Sequence, residues 1–158
     1  MTAISGTAED RLSALGFKLP NPPTPYGAYV PAVQTGNLLF LSGMLATADG
    51  AITITGVVGK DLTVGQGRTA ARTAALNALA LVKTQLGSLN RVSRIVRLGV
   101  YIVSTPEFTD HPRIADGASE LLRDIFGNDT LAARIVIGVA SLPLGSPVEL
   151  EVILEMNA

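Results

Sequence analysis

The chain has 158 residues and a formal net charge of −1, with 47% apolar and 16% charged residues, no Cys, no Trp and a single His. That length fits one domain, and the missing Cys excludes a disulfide scaffold, a thiol nucleophile and a Cys-based zinc site. The apolar content argues against disorder, near-neutrality argues against a nucleic-acid binder, and so much small aliphatic surface under so few charges predicts an oligomer.

From the N-terminus, Glu9 and Asp10 stand where a signal peptide would be basic and then apolar, so a cytoplasmic location is expected. Residues 7–16 predict a short helix ending at Gly16. The uncharged stretch 19–48 is punctuated by Pro20, Pro22, Pro23, Pro25 and Pro31. Its apolar part falls well short of the ~20 residues of a membrane span, and residues 19–27 read as an extended connector. Two strands, 29–35 and 38–42, are joined by the turn signal Gly36-Asn37, and 52–55 suggests a small edge element. Ala71, Ala75, Ala78, Leu79, Val82 and Leu86 make the apolar stripe of a helix over 64–86, closed by Gly87. Residues 92–103 alternate with a period of two. A second long helix is predicted over 107–126, with Ile114, Ala118, Leu121, Leu122 and Ile125 inward and Gly127 as its cap. Strands at 133–140 and 148–156 complete a ββαβαββ order. The class is α+β, one mixed sheet with two helices on one face.

The last two strands carry most of the candidate chemistry. If they pair antiparallel and bury both aliphatic sets, Ile135, Ile137 and Val139 face Leu154, Val152 and Leu150. Arg134 and the glutamates then share the opposite face, with Arg134 beside Glu155 and Glu149 roughly 20 Å away. On that register, one substrate touched by both Arg134 and Glu149 requires a site assembled between subunits.

The run Gly27-Ala-Tyr29-Val-Pro-Ala-Val-Gln-Thr-Gly36-Asn37 with Leu-Phe-Leu-Ser42-Gly43 resembles the opening of the reactive intermediate deaminase family (RidA/YjgF, once called L-PSP endoribonucleases). The block Ala133-Arg134-Ile-Val-Ile-Gly-Val-Ala-Ser-Leu142-Pro143, followed by Val148-Glu149-Leu-Glu151, is similar to its closing signature, and 89–101 fits its middle. The resemblance spans about 25–156, leaving 1–24 as an extension with a short helix before a single domain over 25–158. It implies a chorismate-mutase-like fold and a homotrimer with clefts between subunits. It also implies hydrolysis of enamines and imines such as 2-aminoacrylate to 2-keto acids and ammonia, with no cofactor or metal.

By position, the resemblance makes Arg134 the holder of a substrate carboxylate, for which its planar fork is suited. Glu149 would position or polarise the attacking water. Tyr29 and Ser42 would line the pocket, and backbone groups of Gly43 and Val136 would border the substrate. Two positions depart from the archetype: Val136 stands for a pocket Cys, and Asp116 for a helix Asn, where its charge competes with a substrate carboxylate.

Each residue also has a plainer reading. Arg134 could pair with Glu155 or Glu151, Glu149 could be solvated, Tyr29 could be packing, Ser42 turn chemistry and Asp116 an exposed helix residue. The partners expected are a small carboxylate-bearing metabolite and further copies of the chain, with no membrane. A binding trimer without turnover and an RNA-cleaving protein are the rival functions. Arg68, Arg72, Arg91, Arg94 and Arg97 would serve the latter, but stacking aromatics are few. Gly65-Gln-Gly67-Arg-Thr-Ala70 matches GxGxxA without the preceding strand that a dinucleotide site needs. His111, beside Pro112, reads as a lone surface or capping residue, so no base stands within reach of a Ser nucleophile.

Overall fold

A computed structural model describes residues 6–157; of the N-terminal extension, residues 1–5 lie outside the described residues. The first helix, α1 (Ala8–Ala14), is started by a capping box in which Thr7 and Asp10 satisfy each other's backbone N–H groups. Its Leu12 joins the core. Strands β1 (Ala32–Thr35) and β2 (Leu38–Leu41) form the hairpin about Gly36-Asn37. Two short strands, β4 (Thr47–Ala48) and β5 (Ala51–Ile52), make a separate ribbon after β3 (Met44–Leu45). Helix α2 (Val64–Leu86) opens on a Thr63/Gln66 capping box and closes on Gly87 at φ 81°, a left-handed conformation that favours glycine. Strand β6 (Val92–Val103) leads to helix α3 (His111–Phe126), then β7 (Ala133–Val139) and β8 (Val148–Met156).

The second long helix begins at His111 rather than 107, with Pro112 in its first turn, where its missing N–H costs nothing. No helix among the described residues is long and apolar enough to cross a membrane.

The main sheet runs β1-β2-β8-β6-β7, with β3 also paired to β8. Strand β8 alternates buried and half-buried residues along its length. Val148, Leu150, Val152, Leu154 and Met156 lie under the helices, as the period of two predicts. The helices pack closely because their contact is built from small residues. Ala70, Ala71, Ala74 and Ala75 on α2 are all buried, and a Cβ on Gly117 of α3 would strike the Arg68 carbonyl.

The pairing of the last strands differs from the expected one. Strands β7 and β8 are not neighbours. Strand β6 lies between them, parallel to β7 and antiparallel to β8. The β6–α3–β7 unit is a crossover connection, which lays its second strand parallel beside its first and its helix over one face. Arg134, Val136 and Gly138 pair with Leu98, Val100 and Ile102, and those partners are at most 1% exposed beneath the helices. Arg134 therefore faces α3, not Glu155. Ile135 and Ile137 turn to the open face of the sheet, 37% and 40% exposed, instead of entering the core.

One buried polar side chain ties a helix to the strands that frame the candidate site. Asn77 of α2, 2% exposed, donates to the carbonyls of Leu45 and Thr47, each at 2.9 Å, and to Thr47 Oγ1 at 3.0 Å. Asn77→Ala leaves two buried carbonyls without that donor and is expected to cost about 1–3 kcal/mol, read as a lowered urea midpoint at unchanged m-value.

Candidate active site

The open face of β8 presents Glu149, Glu151 and Glu155, and their neighbours decide which of them is free. Glu155 accepts from Asn37 Nδ2 at 2.8 Å and pairs with Arg94 Nε at 3.3 Å. Glu151 accepts from the Tyr101 hydroxyl at 2.9 Å, a bond that, with burial, pushes the Tyr101 hydroxyl above its ordinary pKa. Glu149 has no hydrogen-bond or ion-pair partner among the described residues. Burial alone holds its carboxyl above the ordinary value of 4.5, because removing water penalises the charged form.

Glu149 lines a cavity of about 410 Å³ together with Tyr29, Ser42 and Gly43. Four residues singled out in the sequence therefore meet in one place. The other walls come from the proline-rich connector (Pro23, Pro25, Tyr26) and from Pro143 and Leu144. Three bonds fix the connector and the turn that follows it, two of them to residues 42 and 50 and one local. Ser42 Oγ donates to the Val30 carbonyl at 2.6 Å, the Tyr26 hydroxyl to the Gly50 carbonyl at 3.2 Å, and the Tyr26 N–H to the Tyr29 hydroxyl at 3.1 Å. The amino-acid pattern alone marks residues 19–27 only as an extended connector.

Gly43 is required by the Glu149 carboxylate itself: a Cβ there would collide with Glu149 Oε1. Gly43→Ala must swing that carboxylate out of place. Any turnover that depends on Glu149 is expected to fall about a hundredfold, the scale of a 1 Å misplacement, while a thermal melt stays close to wild type.

Arg134 and Asp116 meet elsewhere. Arg134 Nη1 donates to Asp116 Oδ1 at 2.8 Å and to Ser119 Oγ at 2.9 Å, in a second open cleft of about 370 Å³ on the helix side of the sheet. Within one chain Arg134 and Glu149 lie on opposite faces. Their partners on β6, Leu98 and Tyr101, are three residues apart. The separation is thus roughly 10 Å along the strands and roughly 10 Å across two strand spacings. The Val136 side chain packs against the core, and neither cleft is lined by it.

His111 is not alone. Its Nε2 lies 3.0 Å from Ser104 Oγ, and a Cβ on Gly138 would press on both atoms. The six residues between them, 105–110, form neither helix nor strand and turn the chain to start α3. Neither residue lines the Glu149 cavity. The arginines also disperse: Arg68 bridges Glu120 and the Arg113 carbonyl, whereas Arg91 donates to the Leu86 carbonyl. Among the described residues, no group of three or more His, Cys, Asp or Glu could hold a metal ion.

Residues 9–156 match the family described as "YjgF/chorismate_mutase-like, putative endoribonuclease". The chain belongs to this YjgF/chorismate-mutase-like family. It is 40% identical to Protein TCP17 of Trypanosoma cruzi over 154 residues, 97% of this chain and 96% of that protein. It is 32% identical to the 2-iminobutanoate/2-iminopropanoate deaminase of Dermatophagoides farinae, over 84% of this chain and 88% of that one. Among solved structures, it superposes on the Agrobacterium tumefaciens protein Atu1372, described as of unknown function, with a TM-score of 0.88 at 39% identity, covering 95% of this chain and 92% of the other. YjgF-family membership fits the chorismate-mutase-like α+β architecture built here from β6, α3 and β7.

Proposed function

We propose that the chain hydrolyses the C=N bond of small imines, including those formed from enamines of the 2-aminoacrylate type, in clefts between the subunits of a homotrimer. The observation that carries this reading is Glu149, an unpartnered, half-buried carboxyl with a raised pKa on the wall of a cavity large enough for a metabolite. A base that keeps its proton above the usual carboxylate range, and that no neighbour neutralises, suits general acid–base work.

The chemistry is balanced by one water. The water oxygen attacks the imine carbon, Glu149 takes the water proton as the C–O bond forms, and the C=N π pair moves onto nitrogen. Glu149 returns that proton to nitrogen, giving a carbinolamine. It then takes the hydroxyl proton and passes it to nitrogen as the C=O bond forms and the C–N bond breaks, so that ammonia and a carbonyl compound leave. Tyr29 and Ser42 bound the cavity, and the bare Cα of Gly43 leaves room for the carboxylate. Arg134 of a neighbouring chain supplies donors for the carbonyl-bearing end of the substrate. The 32% identical relative named as an iminobutanoate/iminopropanoate deaminase supports the reading.

Self-assembly is supported by the open sheet face, where Val33, Phe40, Ile135 and Ile137 are 52%, 37%, 37% and 40% exposed. These residues lie in two groups, on β1-β2 and on β7, and exposed apolar groups of this kind mark interaction surfaces. An RNA-cleaving reading finds less support, because the arginines that would serve it do not line the Glu149 cavity, and Arg68 and Arg91 are held by Glu120 and the Leu86 carbonyl instead. The test is release of keto acid and ammonia from 2-aminoacrylate generated in situ. Release no faster than in buffer would overturn hydrolysis of imines of the 2-aminoacrylate type.

A further inference from the structure

The second cleft is not an open carboxylate receptor. Both hydrogens of Arg134 Nη1 are taken, one by Asp116 Oδ1 and one by Ser119 Oγ. The Nε–Nη2 edge of the guanidinium has no partner among the described residues, and neither has Asp116 Oδ2. Arg134 and Asp116 are partly exposed, with 25% and 39% of their side chains accessible, so both reach the cleft. A ligand thus meets donors on Arg134 beside an anionic acceptor on Asp116, and the pair carries no net charge.

We propose that Asp116 is a specificity-determining residue that sets this site for a neutral carboxamide-type head group instead of a carboxylate. The proposal rests on the reading above, in which Arg134 anchors the substrate. A carboxamide matches the pair group for group: its carbonyl oxygen accepts from the free Arg134 edge, and its N–H₂ donates to Asp116 Oδ2. Hydrogen bonds of both kinds are charge-assisted. A carboxylate satisfies Arg134 equally well but brings a second negative charge beside Asp116 and has no donor for it. Like charges that close are strongly disfavoured once water is displaced. The preferred substrates are then imines of 2-keto amides, hydrolysed by the same addition of water and loss of ammonia.

The experiment is calorimetric titration of the assembled protein with pyruvamide and with pyruvate. Wild type is expected to bind pyruvamide at least about tenfold more tightly, since a site pairing a ligand N–H rejects the analogue lacking it. Asp116→Asn keeps the size and an oxygen for Arg134 Nη1, and should invert the preference. Ser119→Ala retains the charge pattern and should leave the ratio of affinities unchanged. Tighter binding of pyruvate by wild type, or a ratio that Asp116→Asn does not move, overturns the proposal. The deaminase reading fails separately: an amide preference that responds to Asp116→Asn, without hydrolysis of either imine, upholds this assignment and sinks that one.

Discussion

Glu149→Gln is expected to lower the turnover number for imine hydrolysis by about a hundred- to ten-thousandfold, the usual scale of a lost general base. KM should change only a few-fold, since the amide keeps the volume of the carboxylate and Glu149 makes no bond that the substitution breaks. The pH profile gives a second readout. Burial holds the Glu149 carboxyl above 4.5, so the wild-type rate should climb through a pKa higher than an ordinary carboxylate's and then level off. The variant should lose that rising limb. An unchanged kcat/KM would end the assignment of Glu149 as the base.

The same raised pKa makes a stability statement whose sign separates a catalytic from a structural carboxylate. A folded-state pKa above the unfolded one means that the fold favours the protonated form. The contribution of Glu149 is then fully favourable below the ordinary carboxylate range and is lost as pH rises through the raised value. At neutral pH the charged group is a liability, and Glu149→Gln should melt higher than wild type, with the difference vanishing in acid. Glu9 illustrates the opposite case. It accepts from the Leu89 N–H and Ser88 Oγ and lies near Lys83, which together hold its carboxyl below the ordinary range. Its contribution is present above that range and lost on acidification, so removing it should destabilise at neutral pH. A site that is less stable for containing its key residue fits a functional role better than a structural one.

The parts of this architecture legible from the amino-acid pattern were those with one consistent period. Helix α2 and strands β6 and β8 fall where the spacing puts them, because each has a single apolar set and a clear terminator. Strand β7 is different. Ile135, Ile137 and Val139 lie on one side and Val136 and Gly138 on the other, so either side passes as a core face. The expected pairing with β8 rests on burying the aliphatic sets of two antiparallel strands together. It failed because α3 carries the chain over β6 and sets β7 down parallel to it, which reverses the face that Arg134 occupies. The candidate site was legible only in part for a related reason. Residue identities marked Tyr29, Ser42, Gly43 and Glu149, but their meeting depends on a proline-rich connector whose path is fixed by one local and two longer-range hydrogen bonds. The Asp116–Arg134 bond crosses from helix to sheet, and no periodicity reports such a contact.

Mixing two inactive variants is expected to restore activity, and the amount restored states how the site is built. Arg134→Ala keeps Glu149, and Glu149→Gln keeps Arg134; in the proposed homotrimer, each variant alone lacks one half of every site. In a cyclic trimer with head-to-tail interfaces, a site between two chains is intact when the first is Arg134→Ala and the second is Glu149→Gln. For random equal mixing after dissociation and reassembly, that arrangement occupies about one quarter of the interfaces. Keto-acid release should therefore recover to about a quarter of wild type, from a start near background. A site within one chain predicts no recovery, because every chain still lacks a residue. The placement of Arg134 and Glu149 on opposite faces of one sheet, two strands apart, disfavours that outcome. Ile137→Asp supplies the control for assembly. A carboxylate on the exposed apolar patch of β7 should leave the fold intact, hold the protein as a monomer in sedimentation, and abolish the recovery when introduced into both partners. Recovery that persists in monomers would show that it does not come from a site shared between chains, and would overturn the shared-site reading.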